Sequence, residues 1–179
     1  DEAHQWGLQV AAHAHGADGI KAAIRAGIDT IEHASLVDDE GIKLAAARVR
    51  PVWLSMDIFN TEFTQSEGKA TGALEENLRK DREVAQVQRD NFRKAVRMGV
   101  KMVFGSDAGV MPHGTAGGQF KWMVDYGMTP LQAIQAATRN AAQALHREKD
   151  VGAIAVGRYA DMIAVDGDPL KDVRVLEKV

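Results

Sequence analysis

The chain has 179 residues, of which 45% are hydrophobic and 26% charged, and its formal net charge is −3. This composition predicts a globular core and excludes a disordered, collagen-like or coiled-coil protein. Charges of both signs are interspersed, which argues against a nucleic-acid partner, because such proteins carry a basic stripe. There are no cysteines, so disulfides and thiolate metal sites are excluded, while cytoplasm and periplasm both stay open. No apolar run reaches the roughly 18 residues of a membrane span, so no membrane partner is expected.

Short apolar runs alternate with stretches of helical periodicity through the first 150 residues. The apolar runs predict strands at residues 8–12, 28–32, 52–55 and 100–105. The periodic stretches predict helices at residues 17–26, 38–48, 74–98, 118–126 and 129–146. Asp38 or Asp39 is an expected N-cap, and Thr129 with Pro130 is typical of a helix start.

Strand–helix units in series predict a parallel sheet with right-handed crossovers. A complete (β/α)8 barrel needs roughly 250 residues, so four units make half of one. A small, free-standing doubly wound sheet of four strands is the alternative.

Two segments depart from the strand–helix alternation. Residues 57–71 are polar without clear periodicity and are predicted as a long loop, which could form a lid because it follows the third strand. Residues 151–157 and 160–165 are predicted as short strands joined by a turn, with a last strand at 173–179. The predicted organisation is an α/β unit over residues 1–150 and a small β unit over residues 151–179.

Three potential metal ligands stand where predicted strands end, namely His13, His33 and Asp107. The carboxyl ends of parallel strands lie on one face, so these side chains can converge despite their wide spacing. Converging imidazoles and a carboxylate are the ligands that a zinc-type divalent ion prefers. Each residue alone has a simpler interpretation, as an ordinary hydrogen-bonded histidine or a turn-capping aspartate. The three together favour a metal site.

The segments that carry these residues resemble a known enzyme superfamily. Residues 10–16 (VAAHAHG), 30–34 (TIEHA) and 104–109 (FGSDAG) resemble strands five, six and eight of the amidohydrolases. Residues 156–169 resemble the returning strands of the small β domain that accompanies the barrel. The resemblance is closest to metal-dependent dipeptidases of the Xaa-Pro and Xaa-Arg/Lys type, which neighbour imidazolonepropionases. It implies an α/β fold with the C-terminal half of a (β/α)8 barrel, followed by strands of a small β-sandwich domain.

The resemblance also implies a role for each candidate residue. His13 and His33 would bind the more exposed metal, which the ligand set predicts to be zinc. Asp107 would bind the more buried metal and act as general base toward the water between the two ions. From their positions alone, His15 just beyond the first strand and His113 in the loop after the fourth strand are predicted to contact the substrate, with a solvent-exposed loop histidine as the equal alternative for each.

Two parts of the superfamily's ligand set have no counterpart here. These are the His-x-His pair after strand one and the carboxylated lysine or glutamate on strand four. His13 and His15 have the His-x-His spacing, but their surroundings place them at strand five. The chain by itself is therefore expected to be inactive or nearly so, and to need the missing N-terminal half of the barrel.

The predicted function is metal-dependent hydrolysis of an amide bond in a dipeptide or another small molecule. One alternative is opening of a cyclic amide, as in imidazolonepropionases. A second alternative is a non-catalytic half-barrel that pairs with a separate chain or with a second copy of itself, because a half-barrel exposes strand edges and apolar strand faces.

Overall fold

The computed structural model describes residues 2–179, and four βα units organise most of this range. In chain order the elements are α1 (Glu2–Gln5), β1 (Ala11–Ala14), α2 (Ala17–Ala26), β2 (Thr30–His33), α3 (Asp39–Ala46), β3 (Trp53–Ser55), α4 (Ile58–Glu67), α5 (Glu75–Arg97), β4 (Met102–Val103), α6 (Gly118–Asp125), α7 (Pro130–Gln135) and α8 (Ala141–Ala144). A π-helical turn, Ala136–Asn140, joins α7 to α8, and a 3-10 helix spans Val173–Glu177.

The sheet is parallel throughout, and its strand order β1-β2-β3-β4 is the order of the chain. The register pairs Ala14 with His33 and Ser55 with Val103, so the carboxyl ends of the strands share one edge. Four parallel strands were the expectation from the alternating apolar runs, and the structure confirms it. The turns that leave this edge are where side chains from distant parts of the chain can meet.

Local signals in the sequence set the helix ends. The Asp38 carboxylate accepts a hydrogen bond from the Gly41 amide at 2.8 Å and caps α3. Thr129 and Gln132 form a capping box at the start of α7. Gly27 ends α2 with φ at 86°, a left-handed conformation that a residue without Cβ adopts freely. These ends agree with the sequence-based predictions.

The core lies between the sheet and the helices that cover it. Ile31 of β2 and Leu54 of β3 are fully buried beneath Phe92, which comes from the apolar stripe of α5. Burying each such side chain contributes about 1.5–3 kcal/mol. α5 is the longest helix at 23 residues, yet within residues 2–179 no helix has the length and apolarity to cross a bilayer.

The predicted loop at residues 57–71 is wrong, because α4 occupies most of it. α4 has little amphipathic character, and only two of its residues, Ile58 and Thr61, are buried. Its contacts with α5 are polar: Thr61 donates a hydrogen bond to Gln88, and Arg89 of α5 forms an ion pair with Glu62 at 2.6 Å. Tertiary packing, more than local propensity, stabilises short helices of this kind.

The strands predicted at residues 151–157 and 160–165 do not form, and the segment predicted as a strand at 173–179 is mainly a 3-10 helix. A strand needs a partner for its backbone hydrogen bonds, and nothing in residues 2–179 pairs with this tail. Ile154, Val156 and Ile163 are accordingly exposed. The assignment of residues 151–179 to a separate small β domain stays a prediction.

Candidate metal centre

Polar side chains from all four strand ends meet at the carboxyl edge of the sheet. His13 Nδ1 lies 2.8 Å from His33 Nε2, and His33 Nδ1 lies 3.1 Å from an oxygen of Asp57. His33, Asp57 and Asp107 each offer one ligand atom, and these atoms lie within 4.8 Å of one another. The structure therefore brings together the three predicted ligands, His13, His33 and Asp107, and adds Asp57 to them.

Asp57 was missed by the sequence-based analysis. It stands at the N-cap position of α4, where an aspartate normally accepts a backbone hydrogen bond from the first helical turn. Here the side chain makes no such bond and is directed to His33 and Asn60 instead. Its position could have identified it, because Asp57 lies two residues after the end of the third strand, as a metal ligand would. It was overlooked because it is the first residue of the segment that was predicted to be a loop.

Asn60, in the first turn of α4, connects the two carboxylates. Its Nδ2 donates to Asp57 Oδ2 and to Asp107 Oδ2, both at 3.0 Å. The contact with Asp107 joins the turn after β3 to the turn after β4. No sequence pattern pointed to Asn60.

His15 packs beside the cluster. Its ring stacks on that of His33, with centroids 4.3 Å apart, and its Nδ1 lies 3.1 Å from the hydroxyl oxygen of Ser35. Burial, followed by the nearby charge of His33, lowers the pKa of the His15 imidazole, which is therefore mostly neutral at pH 7. Its position is compatible with the predicted contact to substrate, which stays a prediction.

His113 is not joined to the other candidates. It is exposed, and within the described part of the chain it makes no hydrogen bond to His13, His15, His33 or Asp107. Its predicted role in substrate binding has no support from side-chain contacts.

The backbone is strained where β2 ends and in the turn that follows β4, at the carboxyl edge of the sheet. His33, Ala34 and Asp107 have φ values of 72°, 47° and 49°, in the left-handed region that residues with a Cβ rarely adopt. Each such residue costs about 1–3 kcal/mol, and such strain persists only where surrounding contacts enforce it. The Ala34 amide, for example, donates to the Ala14 carbonyl of β1 at 3.1 Å. Two of these residues, His33 and Asp107, are among those whose side chains converge, which supports a functional role for this edge.

Gln119 of α6 fixes the turn that carries Asp57. It is fully buried, and its Oε1 accepts from the Phe59 amide at 2.7 Å while its Nε2 donates to the Met56 carbonyl at 2.9 Å. The two backbone groups lie on either side of Asp57. A side chain 60 residues away along the chain from Phe59 thus holds Asp57 in place.

Comparison with known proteins identifies the family to which this site belongs. The amidohydrolase family matches residues 1–179, which is the whole chain. The chain belongs to the amidohydrolase family.

Individual amidohydrolases match nearly the whole chain. Ochratoxinase from Aspergillus niger is 32% identical over 99% of this chain and 36% of its own length. The crystal structure of a Xaa-Pro dipeptidase with bound methionine is 41% identical, with a TM-score of 0.89, over 98% of this chain and 43% of that protein. An imidazolonepropionase from a Geobacillus species is 48% identical, but over only 22% of this chain. The chain spans about two fifths of the length of the relatives that it matches throughout.

These similarities confirm the predicted fold class. The four βα units are part of an amidohydrolase (β/α)8 barrel, since the sheet, its helices and the tail all superpose on structures of that family. The free-standing doubly wound sheet is therefore excluded as the fold class.

The donor set fits a divalent metal of the amidohydrolase type. Two imidazoles and two carboxylates supply nitrogen and oxygen ligands, which suit zinc and similar ions. If the Nδ1–H of His33 donates to Asp57, the Nε2 lone pair of His33 faces the other ligands, which is the tautomer of a metal-bound histidine. The 2.8 Å between His13 and His33 is a hydrogen-bond spacing.

Proposed function

We propose that the protein containing this chain is a metal-dependent hydrolase of amide bonds whose substrates are dipeptides of the Xaa-Pro or Xaa-Arg/Lys type. One observation carries the proposal: His33, Asp57 and Asp107 offer ligand atoms within 4.8 Å of one another at the carboxyl edge of an amidohydrolase sheet. The 41% identity to a Xaa-Pro dipeptidase over 98% of the chain supports the substrate class. Because the chain spans about two fifths of that relative, the activity belongs to a polypeptide with the remaining ligands.

Each residue has a task that follows from its surroundings. The clustered imidazoles and carboxylates would hold a divalent ion, for which zinc is the proposed identity and which would supply a water of lowered pKa and a Lewis acid for the substrate carbonyl. Asp107 is exposed at the rim, where it accepts the proton of the attacking water and passes it to the leaving amine. Asp57, with its side chain 7% exposed, accepts from His33 and orients the ring. His15, being neutral, is available as a hydrogen-bonding partner for the substrate.

A second candidate substrate class has support from one comparison. Ochratoxinase is matched over 99% of this chain, so a different amide substrate fits the same scaffold. Opening of a cyclic amide has weaker support, because the imidazolonepropionase matches 40 residues only. A non-catalytic half-barrel is disfavoured by the convergence of strained ligand residues at one edge.

The test uses the protein expressed from its complete reading frame, assayed on Xaa-Pro and Xaa-Arg dipeptides, ochratoxin and a cyclic amide. Asp107→Asn should lower kcat by roughly 100-fold or more, because a general base contributes about 10²–10⁴ to the rate. Asp18→Asn is the matched control, since that side chain is fully exposed on α2. Chelation should abolish hydrolysis and zinc should restore it. Retained hydrolysis in Asp107→Asn, or indifference to chelation, would refute the mechanism.

A further inference from the structure

The Asn60 side chain makes a bridge that the proposed mechanism does not use. Its Nδ2 donates to Asp57 Oδ2 and to Asp107 Oδ2, both at 3.0 Å. An amide nitrogen carries two hydrogens, so it can satisfy one acceptor on each carboxylate at the same time. Hydrogen bonds to a carboxylate are charge-assisted and therefore orient it strongly.

We propose that Asn60 is a positioning residue that holds the carboxylates of Asp57 and Asp107 at the spacing required by a divalent cation. The proposal rests on the metal centre of the proposed function. It extends that function to a residue that touches neither the scissile bond nor the cation.

The contact is tertiary, which distinguishes it from ordinary behaviour of asparagine near a helix start. Asparagine in a first turn commonly bonds to backbone groups within a few residues of itself. Asn60 instead reaches Asp107, 47 residues further along the chain. Asp57, at the N-cap position of the same helix, likewise leaves the backbone uncapped and faces His33. Neither side chain caps the helix backbone, and the local bond that the Asn60 side chain makes is to the Asp57 carboxylate of the cluster itself.

The two carboxylates depend on Asn60 to different degrees. Asp57 is buried and also accepts from His33, so it keeps one partner without Asn60. Asp107 is exposed, and across residues 2–179 its carboxylate has no side-chain partner other than Asn60. Removing the amide should therefore release Asp107 to rotate while leaving the Asp57–His33 contact in place.

Like charge adds to the need for a bridge. Ligand oxygens of Asp57 and Asp107 lie within 4.8 Å of each other, and two carboxylates at that separation repel. The hydrogens of the Asn60 amide present partial positive charge to both. In the absence of the amide, the pair should separate unless a cation already binds them, so the loss should appear first as weaker cation binding.

The experiment compares Asn60→Ala with Asn77→Ala in the full-length protein. Asn60 is half-buried in α4 and alanine favours helix, so the first variant should fold. Asn77 is exposed on α5, and its side chain makes no hydrogen bond within the described residues, which makes it a matched control. The metal-free proteins are titrated with Zn²⁺ in competition with a chromophoric chelator. Melting temperature, kcat and KM are measured on the same preparations.

We expect Asn60→Ala to bind Zn²⁺ about 10–100-fold more weakly, the usual effect of removing a residue that orients metal ligands. The value of kcat should fall while KM and the melting temperature of the metal-free protein change little, and Asn77→Ala should match the wild type. An unchanged zinc affinity in Asn60→Ala overturns the proposal, and so does a lower melting temperature with normal affinity.

The proposed function fails separately. If zinc affinity falls in Asn60→Ala but the wild-type protein hydrolyses no amide, the proposed function is refuted and the positioning role stays supported. A wild-type protein that binds no divalent cation overturns both.

Discussion

Replacing the buried Gln119 by methionine tests whether α6 controls the turn that carries Asp57. Methionine has similar volume and similar helix propensity, so the change mainly removes two hydrogen bonds. One bond satisfies the Phe59 amide and the other the Met56 carbonyl. The Phe59 amide belongs to the first turn of α4, where backbone donors have no partner within the helix.

The two lost bonds differ in cost. The Phe59 amide becomes a part-buried donor without a protein partner, which costs about 1–3 kcal/mol. The Met56 carbonyl still accepts a hydrogen bond from the Ile58 amide at 3.1 Å. Losing its bond to Gln119 should therefore cost about as much as one ordinary hydrogen bond, about 0.5–1.5 kcal/mol. The expected fall in the free energy of unfolding is therefore about 1.5–4.5 kcal/mol.

Urea unfolding of the metal-free protein measures this change. Gln86→Met on α5 is the control. Gln86 is exposed and, within residues 2–179, its side chain bonds only to Asp90, so the effect should stay within about 0.5 kcal/mol. Zinc affinity should also decrease in Gln119→Met, since Asp57 loses its fixed turn. If both variants unfold at the same urea concentration as the wild type, the Phe59 amide has another partner and the clamp does not exist.

Two further predictions concern the sheet edge and the α4–α6 contact. In Gly105→Ala the new Cβ would lie 2.2 Å from Ser55 Oγ, so thermal denaturation should show a loss of about 1–3 kcal/mol. Adding Ser55→Ala should restore part of the lost stability. If the double variant is less stable than Gly105→Ala alone, the Ser55 hydroxyl is not the cause of the loss. Burial, followed by the hydrogen bond to Glu62, raises the pKa of Tyr126 to about 12. Because the folded protein holds the Tyr126 proton more tightly than the unfolded chain, this residue stabilises the fold fully below pH 10. That contribution to the free energy of unfolding is lost as the pH rises toward 12. In a tyrosinate absorbance titration, Tyr126→Phe should remove a transition near pH 12, and removal of one near pH 10 would oppose this assignment.

The convergence of His13, His33 and Asp107 was predictable because it depends on a local pattern. Each residue follows an apolar run, and parallel strands place the ends of such runs on one face. The helix ends at Asp38 and Thr129 were predictable for the same reason, since a cap depends on residues within one turn.

The remaining features depend on contacts that a local pattern does not contain. α4 is stabilised through Gln88 and Arg89 of α5, so its own sequence resembles a loop. Asp57 joins the cluster because Gln119 and His33 fix it from two directions. In the tail, by contrast, strands were predicted and do not form. Its alternating residues are typical of strands, but within residues 2–179 they have no partner strand.

The Gln119 clamp has a consequence for the exchange of loops between related barrels. Strand order equals chain order, so consecutive strands are neighbours in the sheet. Most turns at the carboxyl edge could therefore be exchanged with little effect beyond the two strands or helices that they join. The turn after β3 is an exception, because its shape is set from α6. A chimaera that receives residues 56–60 inherits a correctly aimed carboxylate only when it also receives a glutamine at the position of Gln119. These two segments are therefore expected to vary together when such proteins are recombined.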